Sequence, residues 1–265
     1  MGNVDLYNSS YSNYSLQTYS DIRRETYGED YGQTSWVSNG ESREIPELLR
    51  LSSSSSVLEI GCGSGGYAVA LAKRIGCRVS GFEIDPAGVN TATALAEKEN
   101  VSNLTEFSQH DASKAMPYEK ESFDAVYSTD VMCHVPLREE VLANTRGLLK
   151  PGGRFVFSDA LVIGGVVSHQ EIATRSSVGM YFFSPPGENE RLIRKAGFTV
   201  IEARDTTESS AVLSKRWHDA REKRKDALID AEGNENFLGV QRFLQCVHTL
   251  TSERRLLRFL YTCEK

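Results

Sequence analysis

The sequence predicts one α/β domain, with a mostly parallel sheet covered by helices on both faces. Two observations carry this. Between residues 57 and 205, apolar runs of strand length alternate with longer stretches of helical periodicity, the pattern of repeated βαβ units. The first of these strands also runs straight into a glycine-rich turn that opens a helix, as strand-to-helix crossings in such sheets do. A chain of 265 residues, 40% hydrophobic and 25% charged, has enough apolar material for one sizeable core with additions.

Taken in order, IPELLRL (45–51) reads as a helix that the serines at 52–56 break, and VLEIG (57–61) as a buried strand. GGYAVALAKRIG (65–76) is helical, CRVSGFEI (77–84) extended, PAGVNTATALAEKEN (86–100) helical and LTEFSQHD (104–111) extended. FDAVYSTD (123–130) is a fourth strand, followed by the helix LREEVLANTRGLLK (137–150), which ends at PGG, and the strand GRFVFSDALVI (153–163). GENERLIRKAG (187–197) and FTVIEARD (198–205) add a helix and a strand. The charged stretch 209–232 reads as a long helix with a solvated face, and LLRFLYTCEK (256–265) as the last strand. SPPG (184–187) is a turn before a helix. Before all of this, residues 1–40 are rich in Tyr, Ser, Asn and Gly. Tyr7, Tyr11, Tyr14, Tyr19, Tyr27 and Tyr31 give an aromatic density that a loose terminus lacks.

Composition narrows the function. A formal charge of -6 opposes wholesale binding to a phosphate backbone, so no nucleic-acid partner is expected. There is no run of about 18 apolar residues and no secretory pattern at the start, so neither a membrane partner nor export is expected, and the location expected is cytoplasmic. Leu6 stands where a myristoylation signal needs Ser or Thr. Cys62, Cys77, Cys133, Cys246 and Cys263 are scattered and form no CxxC pair, so free thiols are expected. The histidines show no ligand spacing, so no metal is expected.

The sharpest signal is VLEIGCGSGG, in which a strand delivers Glu59 and then Gly61, Gly63 and Gly65 at every second position before a helix. Only glycine lets the backbone turn that tightly and approach a bound nucleotide. Dinucleotide sites use GxGxxG and present a helix N-terminus to pyrophosphate. The GxGxG spacing here, with an acid two residues before it, suits a ligand bearing an ammonium group. Glu83 ends the next strand 20 residues after Gly63, where an acid can bind two ribose hydroxyls. Asp130 and His134 stand at the end of the fourth strand, where open α/β sheets place ligands. Taken without the motifs around them, Asp130 would cap the following turn and His134 would pack in the core.

By several independent stations over residues 40–205, the chain resembles the class I S-adenosylmethionine-dependent methyltransferases. VLEIGCGSG looks like the family's first motif, GFEID its ribose-binding second, HDA (110–112) its adenine-binding third, FDAVYSTDVMCHV its fourth-strand motif and LLKPGGRFVFSD its fifth. The resemblance implies a Rossmann-like methyltransferase fold, with a seven-stranded sheet, mostly parallel, whose last strand is antiparallel. It implies S-adenosyl-L-methionine as cofactor and S-adenosyl-L-homocysteine as product. By it, Glu59 and Gly61 would lie at the methionine end, Glu83 at the ribose, and Asp111 and Ala112 at the adenine, with Gly63, Gly65, Ile84 and Ser128 also among the cofactor-binding residues. The domains expected are a Tyr-rich lid at 1–40 and a methyltransferase domain at 41–265, with 206–254 a helical insertion before the last strand. Deleting residues 1–20 should then spare the fold and abolish turnover.

A narrower resemblance, to phosphoethanolamine and sarcosine or dimethylglycine methyltransferases, rests on YGEDYGQTSW (27–36) and STDVMCHV. It places the first segment, with Ser35, over the cofactor, and implies that Asp130 and His134 meet an amine beside an N-terminal tyrosine. Tyr14 lies nearest that position, with Tyr11 and Tyr19 as rivals. Thr129 departs from that group, which carries Arg there. The acceptor expected is a small molecule methylated on an amine nitrogen. The alternative is O- or C-methylation of an apolar metabolite such as a quinone or specialised product, favoured by MYFFSPP (180–186). The protein is expected as a monomer or homodimer.

Overall fold

The structure, a computed structural model, describes residues 4–265. Two helices, α1 (Tyr7–Ser12) and α2 (Gln17–Tyr27), precede α3 (Asn39–Leu48). The alternating body then runs β1 (Ser56–Ile60), α4 (Gly66–Ile75), β2 (Arg78–Glu83), α5 (Pro86–Lys98), β3 (Thr105–Gln109), β4 (Phe123–Ser128), a 3₁₀ turn (Met132–His134), α6 (Arg138–Leu148) and β5 (Leu149–Ile163). After it come α7 (His169–Arg175), α8 (Glu188–Lys195), β6 (Thr199–Asp205), α9 (Thr207–Glu222), α10 (Lys225–Glu232), α11 (Asn234–Ser252) and β7 (Leu256–Glu264).

The seven strands lie in the order β3-β2-β1-β4-β5-β7-β6. Only β7 runs antiparallel to its neighbours, so the expected Rossmann-like sheet is present. Alternation sorts side chains between the two faces. Leu58, Ile60, Val126, Phe155 and Phe157 pack in one layer with Leu142 and Ile193, from α6 and α8. Val57, Ala125, Tyr127 and Val156 enter the opposite layer with Ile45, Val69 and Ala96, from α3, α4 and α5. The sequence of strands reverses between β1 and β4, which opens a crevice at their C-terminal ends.

Several elements differ from the sequence reading. The α3 helix begins at Asn39 because Ser38 and Glu41 form a capping box, Ser38 Oγ accepting from the Glu41 amide and the Glu41 carboxylate from the Ser38 amide. The charged stretch is two helices, and α7 was not expected at all. The largest difference is in residues 4–40, which are packed into the core of the fold. Leu6, Tyr19, Ile22, Tyr27 and Trp36 share one core with Leu213, Trp217, Phe237 and Phe243 of α9 and α11. The N-terminal segment and the 206–254 insertion thus form one helical layer. A buried Arg221–Glu232 ion pair, to which Tyr19 donates a 2.7 Å hydrogen bond, ties it together. All five cysteines are free. No helix among the described residues is long and apolar enough to cross a membrane.

Candidate active site

A cavity of about 350 Å³ occupies the crevice between the ends of β1 and β4. Its floor is the glycine-rich turn, and its cover is the segment 31–36 together with α1. The turn and the cover are fitted to each other. A Cβ at Gly66 would lie 1.7 Å from the Tyr31 carbonyl oxygen, and the Ser64 hydroxyl donates 3.1 Å to the Gly32 carbonyl. At Gly63 the backbone takes φ 52°, and an added Cβ would lie 3.1 Å from the Tyr11 hydroxyl.

Most of the expected cofactor residues converge here. Glu59, Gly61, Gly63, Glu83, Ile84, Asp111, Ala112 and Ser35 all line the cavity. Glu83 is pinned by the backbone, Oε2 accepting from the Gly63 amide (3.0 Å) and Oε1 from the Ile84 (2.9 Å) and Asp85 (3.2 Å) amides. Of the about four lone-pair sites of a carboxylate, those three amides take three and leave one, on Oε2, for a further donor. Burial raises the Glu83 carboxyl above its usual range, although those three amides pull it down. Glu59 is 1% exposed, and its Oε2 has no hydrogen-bond partner among the described residues. Burial first, and the neighbouring Glu83 charge in the same direction, raise its carboxyl to about 8. Asp111 accepts from the Ser113 amide (2.9 Å), and hydrogen bonds from Ser113 keep its carboxyl below the usual range.

Two expected cofactor residues stand apart from the cavity wall. Ser128 is fully buried and donates to the Ile60 carbonyl (3.0 Å), joining β4 to β1. Gly65 works in helix packing: it starts α4 at φ 75°, and a Cβ there would come within 2.5 Å of Ala92 on α5.

The acceptor half holds His134, and here the tyrosine assignment is corrected. Tyr14 lies outside the cavity, its ring 4.5 Å under the Arg23 guanidinium, because the chain has left α1 before reaching it. Tyr7 takes the place beside His134, with its hydroxyl 3.0 Å from Nε2. Tyr7 and Tyr11 are one helical turn apart, so both face the cavity. The hydrogen bonds also fix the proton positions. His134 Nδ1 lies 2.9 Å from the Met180 carbonyl, which can only accept, so Nδ1 carries a proton, and in the neutral ring Nε2 then carries the lone pair. Tyr7 therefore donates to Nε2, and Tyr181, 3.0 Å away, donates to Tyr7. Burial and the adjacent Tyr181 raise the Tyr7 hydroxyl well above its usual range, which keeps it a donor.

Asp130 is corrected as well. It lines the cavity, but its carboxylate is already engaged. Oδ1 accepts from Arg258 Nε (2.9 Å) and Ser158 Oγ (2.8 Å), and Oδ2 accepts from the Trp36 amide (2.7 Å). Arg258, fully buried, also pairs with Glu41 at 2.6 Å. Asp130 sits at φ 58°, in the left-handed region that an Asp tolerates better than most residues. It ties the cover to β7 and carries no free charge toward an acceptor. No local sequence pattern marks Arg258, which lies 128 residues away.

Comparison with known proteins agrees with this geometry. Residues 58–157 match the family model of the methyltransferase domain. The methyltransferase GfsG of Streptomyces halstedii is 29% identical over 175 residues, 64% of this chain and 62% of that protein. A sterol 24-C-methyltransferase of Gibberella zeae is 43% identical over 99 residues, 37% of this chain and 26% of its own. This chain thus spans less than two thirds of either relative. Among solved structures, phosphoethanolamine N-methyltransferase 2 of Haemonchus contortus, in complex with phosphomonomethylethanolamine and S-adenosylhomocysteine, superposes with a TM-score of 0.81 at 18% identity. That match covers 98% of this chain and 61% of the other. The chain carries a methyltransferase domain on the class I, Rossmann-like fold of the S-adenosylmethionine-dependent enzymes.

Proposed function

We propose that the protein transfers the methyl group of S-adenosylmethionine to a small-molecule acceptor, at a heteroatom that gives up a proton. The observation that carries this is His134, held by its Nδ1 on the Met180 carbonyl with Nε2 3.0 Å from the Tyr7 hydroxyl, in the same cavity as the glycine turn. The residues present fit the cofactor. Glu59 offers an unpartnered buried carboxylate oxygen to an ammonium, Glu83 a pinned carboxylate to a diol, and the glycine turn leaves room where side chains would intrude. The cofactor supplies, when bound, an activated methyl on a sulfonium.

The chain then has three tasks. The segment 31–36 and α1 exclude water, the cavity walls align acceptor and methyl, and His134 takes the acceptor's proton, directly or through Tyr7. With Nδ1–H fixed on the Met180 carbonyl, the imidazolium that forms keeps that hydrogen bond.

Charge favours a hydroxyl oxygen as the atom methylated. Both oxygens of Asp130 are engaged by Arg258, Ser158 and the Trp36 amide, and the other lining carboxylates, Glu59, Glu83, Asp85 and Asp111, lie in or just after β1, β2 and β3 in the cofactor half. No free carboxylate among the described residues is left to hold an ammonium beside His134. The second reading, an amine nitrogen, draws on the ring faces of Tyr7 and Tyr181, each such contact with a cation being worth about 0.5–2 kcal/mol. A screen of S-adenosylhomocysteine release across alcohols, phenols, hydroquinones and amines tests the proposal. Turnover with hydroxyl acceptors supports it, turnover with amines alone moves it to the second reading, and failure to bind the cofactor rejects both. On the acceptor found, His134→Ala should lower kcat by about 10²- to 10⁴-fold. An unchanged kcat would reduce catalysis to alignment.

A further inference from the structure

Buried arginines in this protein come with carboxylates, and one does not. Arg23 pairs with Asp30, Arg138 with Asp159, Arg221 with Glu232, and Arg258 with Asp130 and Glu41. Arg175 is 2% exposed, has no ion pair among the described residues, and leaves Nη1 without a hydrogen-bond partner. The carboxylate on its own helix, Glu171, is held by Arg255 at 2.7 Å and by the Ser168 amide at 2.8 Å.

What surrounds Arg175 is aromatic. Its guanidinium carbon lies 4.4 Å from the Tyr181 ring centroid, 5.0 Å from that of Phe243 and 5.9 Å from that of Trp36. Ring faces soften the burial of a cation, but they do not occupy its in-plane N–H donors. Arg175 also lines the cavity, on the wall that carries the proton relay, since the Tyr181 ring beneath it lies 4.2 Å from the His134 ring. A desolvated guanidinium whose Nη1 is unpartnered beside an acceptor site is incompletely satisfied until an anion arrives, and its planar fork matches a carboxylate or phosphate.

We propose that Arg175 binds an anionic oxygen group, a carboxylate or a phosphate, carried by the methyl acceptor. Such an acceptor would be anchored at Arg175 and would present its nucleophile along the wall toward Tyr181, Tyr7 and His134. This rests on the reading of the cavity as a cofactor and acceptor site, so the test begins with that reading.

The full chain is first titrated with S-adenosylhomocysteine by calorimetry. The loaded protein is then titrated separately with inorganic phosphate and with acetate, following thermal unfolding in wild type, Arg175→Met and Arg175→Lys. Wild type should gain stability saturably with at least one anion, the stronger response telling phosphate from carboxylate. Arg175→Met should weaken that binding at least tenfold. Arg175→Lys keeps a charge within the rings and serves where the Met variant does not fold. It should bind at least threefold more weakly, because the fork is lost. An absent response in wild type, or equal responses in the variants, overturns the proposal. Failure to bind S-adenosylhomocysteine overturns the underlying reading instead.

Discussion

Asp130 holds three hydrogen-bond donors on two oxygens at a left-handed φ, and such a carboxylate is a fixture of the fold. Removing it leaves the buried Arg258 with Glu41 as its one carboxylate partner, and breaking one side of a buried ion pair costs about 3 kcal/mol. Asp130→Ala should therefore lower the urea midpoint by that equivalent. An effect confined to acceptor KM, with unchanged stability, would restore the acceptor-binding role read from sequence. Glu59 makes a different forecast. Its carboxyl is raised from 4.5 to about 8, so the native protein without cofactor keeps this proton at neutral pH. A group raised in this way stabilises the native state most below its unfolded value, and that contribution is lost as pH rises through about 8. Glu59→Gln should flatten the fall in stability over that window. A cationic ligand favours the ionised form, so binding S-adenosylmethionine near neutral pH should release a proton, seen as a dependence of calorimetric heat on buffer ionisation. No such dependence, or its survival in Glu59→Gln, would show that Glu59 does not meet the ligand's charge.

The N-terminal helices carry cavity wall and core at once, which changes what a truncation means. Leu6 is 3% exposed and Tyr19 5%, both inside the apolar cluster of α9 and α11. Leu6→Ala should cost about 2–4 kcal/mol by the usual scale for a buried leucine, and deleting residues 4–12 more than that. Both are read from denaturant unfolding. A truncated protein with an unchanged midpoint would return α1 to the status of a detachable lid. This was the element least legible in the sequence. The polar composition of YNSSYS hides its helix, and its buried face becomes apolar only through partners some 200 residues later. The α11 helix was legible only as part of an unspecified helical insertion, although it closes the same layer.

At the scale of the whole molecule, the alternating body was legible because buried parallel strands and glycine turns leave local signatures. Glu59, Gly61, Gly63, Glu83 and Asp111 lie in one cavity because each sits at or just beyond the C-terminal end of its strand, in the expected register. The acceptor half was legible only at His134. Tyr7, Arg175 and Tyr181 come from α1, α7 and the loop after it, and no local spacing connects them. The central claim is that this cavity binds S-adenosylmethionine through the pinned carboxylate of Glu83, so calorimetric titration of wild type and Glu83→Ala tests it most directly. Wild type should bind at one site, and the variant more weakly by about 1.5–3 kcal/mol, the loss expected for hydrogen bonds to a charged group. Equal affinity in a folded variant, or no binding by the wild-type protein, would contradict it.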